Sequence, residues 1–454
     1  MQAGSPQLKE VTMLRVKIQH KYTLTCTQCG CETPNFWTWF EQGQQCPKCG
    51  SKNSEVSYNR RYQRLPRIMK RTPDSFWHYF PFLPLLRRRH IVSKGEGAIP
   101  VEQWTFLEEF AKKEHGLDIK VHVYRNDLNG GTGTFKDIAA SLAASLFKEI
   151  GIDQYCIAST GNSATAYAMY LSMAGVNCSV FMPEDAIKTS EATISSYGQQ
   201  VFRVMGDYAK AKEIAAGYAA AHNIPMSTGN IDPIRVEAKK TMVFEWLRQM
   251  DQIPDVYIQA VSGGTGPIAI DKGIRDIKHI YPELKNPRFL LVQTDKCDPM
   301  VRAWEDAEAA GFPEGFEKNY PIIENPQTEV PTLATGNPAS YPLIAKLVKE
   351  SGGSFLRMRE SKLLPVGKLM AYEKKVIPGP ASAVCMAGFF IALRKNQIKD
   401  GETVLINLGE GANRAPYFLE QMIYTSRNVQ NVEDCEPHLI DDYRSQLWKE
   451  VLRD

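Results

Sequence analysis

Three short segments carry residues whose chemistry depends on a chain turning into a helix. The first is Gly130-Gly131-Thr132-Gly133-Thr134-Phe135-Lys136-Asp137, which opens a helical stretch running to about Ile150. A lysine at a helix start sits at the positive end of the dipole, where its charge is unfavourable. Such a position suits an amine that must be neutral, as one that condenses with a carbonyl must be. Read alone, a surface lysine is the commoner occupant. The second segment is Ser159-Thr160-Gly161-Asn162-Ser163. Consecutive backbone N–H groups and hydroxyls at a helix start form a site for a carboxylate or phosphate. A plain N-cap is the alternative. The third is Ser262-Gly263-Gly264-Thr265-Gly266, after an apolar run ending at Val261. Glycines let backbone approach a phosphate closely, and a following helix adds its dipole. The closing Lys-Ser/Thr of a Walker loop and the G-x-G-x-x-G spacing are both missing, so in isolation this is also any tight turn.

A fourth cluster is metallic in character. Cys26-x-x-Cys29 and Cys46-x-x-Cys49 are two knuckles whose spacing brings four thiolates to the corners of a tetrahedron, as in a structural zinc ribbon. Gly30 and Gly50 follow the knuckles, where the chain must turn tightly. Half of the 10 cysteines crowd into this segment, which fits metal better than a disulfide framework. Cys31 reads as a spectator, and a ribbon holding iron or no metal is the alternative.

The elements that must position these residues are short apolar strands alternating with helices. Apolar runs at 155–158, 178–182, 201–204, 256–261 and 289–292 are each bounded by turn residues, which predicts parallel sheets covered by helices. The fold class is α/β. A chain of 454 residues predicts two domains plus an appendage. An apolar share of 43% and a charged share of 23% are those of a globular protein with a full-sized core. The net charge of +3 and the short Arg87-Arg88-Arg89 cluster give no case for nucleic acid. No apolar run is long enough to span a membrane, and the start at Met1 and Gln2 is polar, so a cytoplasmic protein is expected.

Together the three segments resemble the fold type II pyridoxal 5′-phosphate (PLP) enzymes, the tryptophan synthase β-subunit superfamily. Thr132 to Asp137 resembles the T-G-S-F-K-D box, Ser159 to Asn162 the S-[ST]-G-N loop, and Ser262 to Gly266 the glycine loop. Within that superfamily the chain is most similar to threonine synthases. Ser93-x-Gly95-Glu96-Gly97 resembles S-L-G-E-G, and Asn230 to Thr241 is similar to N-P-[YF]-R-I-E-G-Q-K-T. Gly336-Asn337-Pro338-x-Ser340 resembles I-G-N-P-x-S-W, and Pro380-Ala381-Ser382-Ala383 resembles E-P-A-S-A. The resemblance runs from about Ser93 to Arg414.

The resemblance implies a two-domain PLP enzyme with parallel-rich sheets and an N-terminal zinc ribbon. The expected divisions are a ribbon-like extension at 1–58, a large PLP-binding domain at 59–150 and 231–427, a small mobile domain at 151–230, and a tail at 428–454. Lys136 is the expected catalytic residue, linked covalently to the cofactor. Phe135, Asn162, Ser262, Gly263, Gly264, Thr265, Gly266 and Leu408 are expected around the cofactor. Thr160, Gly161 and Ser163 are expected on the substrate carboxylate, and Arg235 on a substrate phosphate, because a guanidinium offers forked donors to phosphate oxygens. A surface salt bridge is the alternative for Arg235. The implied substrate is a small phosphorylated amino acid, and a homodimer is expected by analogy. The implied reaction converts O-phosphohomoserine and water to threonine and phosphate. Two readings stay open beside it: β-replacement on O-phosphoserine or a similar activated serine, as in cysteate synthase, and a catalytically silent relative.

Three positions depart from the pattern. Leu408 stands where the family places a Thr or Ser facing the pyridine nitrogen, so Asn407 or Glu410 contacts that nitrogen, or nothing does. Ile138 stands where arginine is common after Lys-Asp, and Gly379 where glutamate precedes Pro-Ala-Ser.

Overall fold

The computed structural model describes residues 21–58, 62–423, 426–436 and 440–453. The polar start at Met1 and Gln2 lies outside them. The first described element is a small antiparallel sheet of β1 (Tyr22–Cys26), β2 (Glu32–Thr33) and β3 (Ser54–Tyr58). Alternation along β1 buries Tyr22, Leu24 and Cys26, so one face of this sheet docks inward.

The remaining strands are β4 (Val101–Gln103), β5 (Lys120–Arg125), β6 (Gln154–Ala158), β7 (Asn177–Pro183), β8 (Gln200–Val204), β9 (Val256–Ala260), β10 (Arg288–Thr294), β11 (Ser354–Met358) and β12 (Thr403–Leu408). They form a six-stranded sheet in the order β11-β10-β9-β12-β5-β4 and a three-stranded sheet in the order β6-β7-β8. Every pairing in these two sheets is parallel except that of the edge strand β4. The α/β class and its parallel-rich sheets are therefore as the apolar runs predict. Parallel strands need helical crossovers, which cover both faces and make each strand apolar throughout. All six residues of β12 are accordingly buried.

Six helices bear on the site: α1 (Asp137–Ile150), α2 (Asn162–Ala174), α3 (Tyr208–His222), α4 (Pro233–Lys239), α5 (Thr265–Ile277) and α6 (Pro380–Arg394). Their starts and stops follow local chemistry. The Asp207 carboxylate caps α3 by accepting from the Lys210 N–H at 2.9 Å. α4 opens with Pro233 at its first position, after Asp232, whose carboxylate accepts from the Ile234 N–H. α1 ends at Gly151, whose φ of +79° is the left-handed stop that glycine adopts freely. Its Ala-rich sequence is buried on nearly every side, letting it pack closely against both α2 and α4.

One apolar core runs from the N-terminal sheet through α1, α2, α4 and α5, and a second fills the opposite face of the six-stranded sheet beneath α6. Polar contacts fix the N-terminal sheet to the body. The Tyr58 hydroxyl donates to Glu237 at 2.5 Å, and Arg275 forks onto Glu55 at 2.7 and 3.0 Å. Among the described residues no helix is long and apolar enough to cross a membrane.

Candidate active site

The loops after β5, β6, β9 and β12 converge at the carboxyl ends of the strands, where α/β sheets bind ligands. They enclose a cavity of about 280 Å3 whose walls include Lys136, Asn162, Arg235, Ser262 to Thr265 and Glu410.

Lys136 is the last residue before α1. Its turn is pinned by Asp137, whose carboxylate accepts from the Thr132 N–H at 3.0 Å, the Thr132 hydroxyl at 2.8 Å and the Thr134 N–H at 2.9 Å. The Lys136 amine lies 4.1 Å from the centre of the Phe135 ring, and both side chains line the cavity. Burial, with the Arg235 guanidinium in support and Glu410 in opposition, brings the amine down to about 7. At neutral pH much of it is therefore free base, the form that attacks a carbonyl.

Ser159, Thr160, Asn162 and Ser163 also line the cavity. Ser159 caps α2 through its hydroxyl oxygen, which accepts from Gly161 and Ala164 N–H groups at 3.2 and 3.3 Å. The Asn162 amide nitrogen donates to Glu410, and its oxygen accepts from Arg414 at 3.3 Å. Gly161 is not part of the lining; a β-carbon there would come within 3.4 Å of Thr332.

The glycine turn is the tightest part of the site. A β-carbon on Gly263 would lie 1.7 Å from the Asn230 amide, which itself accepts from the Thr265 hydroxyl at 2.9 Å. Gly264 has a φ of +75°, and a β-carbon on it would meet Ile344 at 2.3 Å. The Ser340 hydroxyl donates to the Gly263 carbonyl at 2.5 Å, which fixes the turn just ahead of α5, whose N-terminus lines the cavity at Thr265. Ser262, Gly263, Gly264 and Thr265 line the cavity, whereas Gly266 faces Gln259 at 2.1 Å for an added β-carbon. Gly266 lies outside that lining, and packing against Gln259 requires it to have no side chain.

Arg235 is 9% exposed, which removes the surface salt bridge as an alternative. Its guanidinium donates to the Tyr167 hydroxyl at 3.3 Å and the Ser227 hydroxyl at 2.7 Å, both neutral acceptors.

Leu408 requires a correction. Alternation along β12 sends Ile406 and Leu408 into the apolar core facing α6, and Leu408 is wholly buried there. It does not line the cavity; Asn407, Gly409 and Glu410 do. The Asn407 oxygen is engaged by the Asn126 amide at 2.7 Å. The Glu410 carboxylate accepts from the Ala381 N–H at 3.0 Å as well as from Asn162, and burial pushes its pKa up. Gly379 now has a physical reason. A β-carbon there would meet the Glu410 side chain at 2.7 Å, so the space ahead of Pro380 belongs to Glu410.

Sequence reasoning missed Lys212 and Lys239. Lys212, on α3, lines the cavity. Lys239 lies four residues after Arg235 on α4, a spacing that puts both on one helix face. It is 1% exposed, its ammonium sits 4.1 Å from the Phe135 ring centre, and burial with Lys136 and Arg235 nearby drives its pKa well down. Lys239 lies inside the Asn230–Thr241 stretch, but nothing in the sequence marks it as buried beside the cavity. Only the i, i+4 relation to Arg235 could have singled it out.

The N-terminal cysteines also converge. The sulfurs of Cys26, Cys29, Cys46 and Cys49 all lie within 4.8 Å of one another, and Cys31 is not among them. Gly30 and Gly50, with φ of +69° and +72°, donate back to the carbonyls of Cys26 and Cys46 and close each knuckle.

Comparison with known proteins gives consistent matches. A family model described as pyridoxal-phosphate dependent enzyme matches residues 92–409. Threonine synthase from Methanocaldococcus jannaschii is 30% identical over 340 residues, covering 74% of this chain and 80% of that protein. Threonine synthase from Halalkalibacterium halodurans is 30% identical over 328 residues, covering 72% and 85%. Among solved structures, the processed form of threonine deaminase isoform 2 from Solanum lycopersicum aligns with a TM-score of 0.56 at 18% identity, covering 71% and 82%. An L-serine ammonia-lyase from Rhizomucor miehei aligns with a TM-score of 0.58 at 14% identity, covering 72% and 98%. These structural likenesses carry the fold.

Proposed function

The chain belongs to the pyridoxal-phosphate dependent enzymes, with threonine synthases among its relatives, and from that premise we propose that it releases phosphate from O-phosphohomoserine and adds water to give threonine. The observation that carries this reading is a depressed lysine amine, a glycine turn and a buried arginine lining one cavity.

The residues present fit PLP. Lys136 offers an amine that is largely free base, the Ser262–Thr265 turn lines the cavity with backbone that carries no side chain at Gly263 and Gly264, and Asn162 offers an amide. In this reading Lys136 holds the cofactor covalently, Asn162 holds its phenolic oxygen and the glycine turn holds its phosphate. When bound, the cofactor supplies an electron sink at the substrate α-carbon.

The protein's own groups do the rest. Lys136 Nζ, much of it free base at neutral pH, accepts the proton from the substrate α-carbon and returns it later in the cycle. Thr160 and Ser163, at the positive end of α2, hold the substrate carboxylate. Arg235, with a guanidinium nitrogen not used by Tyr167 or Ser227, holds the substrate phosphate and draws it away as it leaves. The four N-terminal cysteines hold a structural zinc in this proposal, as their number and closeness suit.

The test offers O-phosphohomoserine and O-phosphoserine separately to the PLP-loaded protein and assays phosphate release. Release from phosphohomoserine with threonine formed is the expected result. Release from phosphoserine alone would replace the proposal with a β-replacement reaction.

A further inference from the structure

The cavity is charged unevenly. Among the described residues its charged lining consists of Lys136, Lys212, Arg235 and Glu410. Lys136 is the amine assigned to the cofactor, and the Glu410 carboxylate is held by the Ala381 N–H and Asn162. Lys212 and Arg235 remain without a facing carboxylate in hydrogen-bond contact.

Arg235 donates to neutral hydroxyls, as described above, and the buried Asp232 carboxylate attracts it from nearby without an ion pair among the described residues. Lys212 is half-buried on α3, with its ammonium 4.8 Å from the centre of the Tyr208 ring. Asp207 attracts it from nearby, but neither an ion pair nor a hydrogen bond joins them among the described residues. Burial pulls its pKa down, as expected of a cation held without an acceptor. The two cations approach from different layers. α3 packs on β6 and β7 of the three-stranded sheet, and α4 packs on α1.

Resting on the phosphorylated-substrate reading above, we infer that Lys212 is a specificity-determining residue that joins Arg235 in holding a dianionic leaving group. One forked guanidinium suffices for a monoanion. A phosphate group near neutral pH carries between about 1.5 and 2 negative charges, which two cations lining one cavity match. An ester leaving group without that charge would leave Lys212 desolvated and unpaired, a cost that selects against it.

The test titrates PLP-loaded protein with inorganic phosphate by calorimetry, so that the glycine turn is already filled. Lys212→Met and Lys212→Gln each weaken phosphate binding about tenfold, a loss of about 1.4 kcal/mol. Lys212→Arg restores most of it, and the visible cofactor absorption is the same in all variants. The charge-removing variants also raise KM for the phosphorylated substrate more than they lower kcat. Unchanged phosphate binding in both Lys212→Met and Lys212→Gln, with binding lost in Arg235→Met, overturns the role of Lys212 and leaves the phosphorylated-substrate reading intact. Failure of the loaded wild-type protein to bind phosphate at all overturns that reading and this inference together.

Discussion

Removing the Lys136 amine should make the cofactor-free protein more stable, not less. In the folded chain this lysine falls from its ordinary value of 10.5 to about 7, chiefly through burial. A group whose folded pKa is depressed binds fewer protons than in the unfolded chain, so it destabilises the fold wherever the unfolded chain would be protonated. The drop is worth about 4 kcal/mol at pH 7 at most, and less to the extent that cavity water screens the charge. The cost is full below about pH 7 and fades as pH rises toward the unfolded value near 10.5. Lys239, depressed partly by Lys136, adds in the same direction when its neighbour is removed. Lys136→Met keeps the length and apolar stem of the side chain and removes the nitrogen. Urea midpoints of cofactor-free wild-type and Lys136→Met protein, measured at pH 7 and pH 10, decide the matter. The variant should unfold at higher urea at pH 7, with the gap closing by pH 10. A variant less stable than wild type at pH 7, or a gap equal at both pH values, would refute the reasoning.

Two other perturbations are equally direct. Gly263→Ala places a β-carbon 1.7 Å from the Asn230 amide, so it should weaken PLP affinity by tenfold or more while far-ultraviolet circular dichroism stays unchanged; reconstitution monitored by visible absorbance measures it. Cys46→Ser removes one of four converging sulfurs, so it should abolish stoichiometric zinc in metal analysis and lower the thermal midpoint by several degrees.

The fold was legible because parallel strands are apolar throughout: the runs at 155–158, 178–182, 201–204, 256–261 and 289–292 coincide with β6, β7, β8, β9 and β10. The Lys136, Ser159 and Ser262 segments were legible because each joins a strand end to a helix, where spacing along the chain fixes spacing in space. Leu408 was misplaced because a strand residue faces one side or the other by its register, and the motif alone does not reveal that register. Gly379 and Glu410 are far apart in sequence, so their exchange of space appears only once Pro378 and Gly411 are brought together by a bridge. Nothing in the sequence marks Lys212 or Lys239 as buried beside the cavity. Their burial is set by the packing of α3 and α4, which no local pattern encodes.

The most direct test of the whole account is to reduce the purified, PLP-loaded protein with borohydride and map the modified peptide by mass spectrometry. The account predicts one pyridoxyl phosphate group per chain, on Lys136. A label on Lys212, on Lys239 or on no lysine would contradict it.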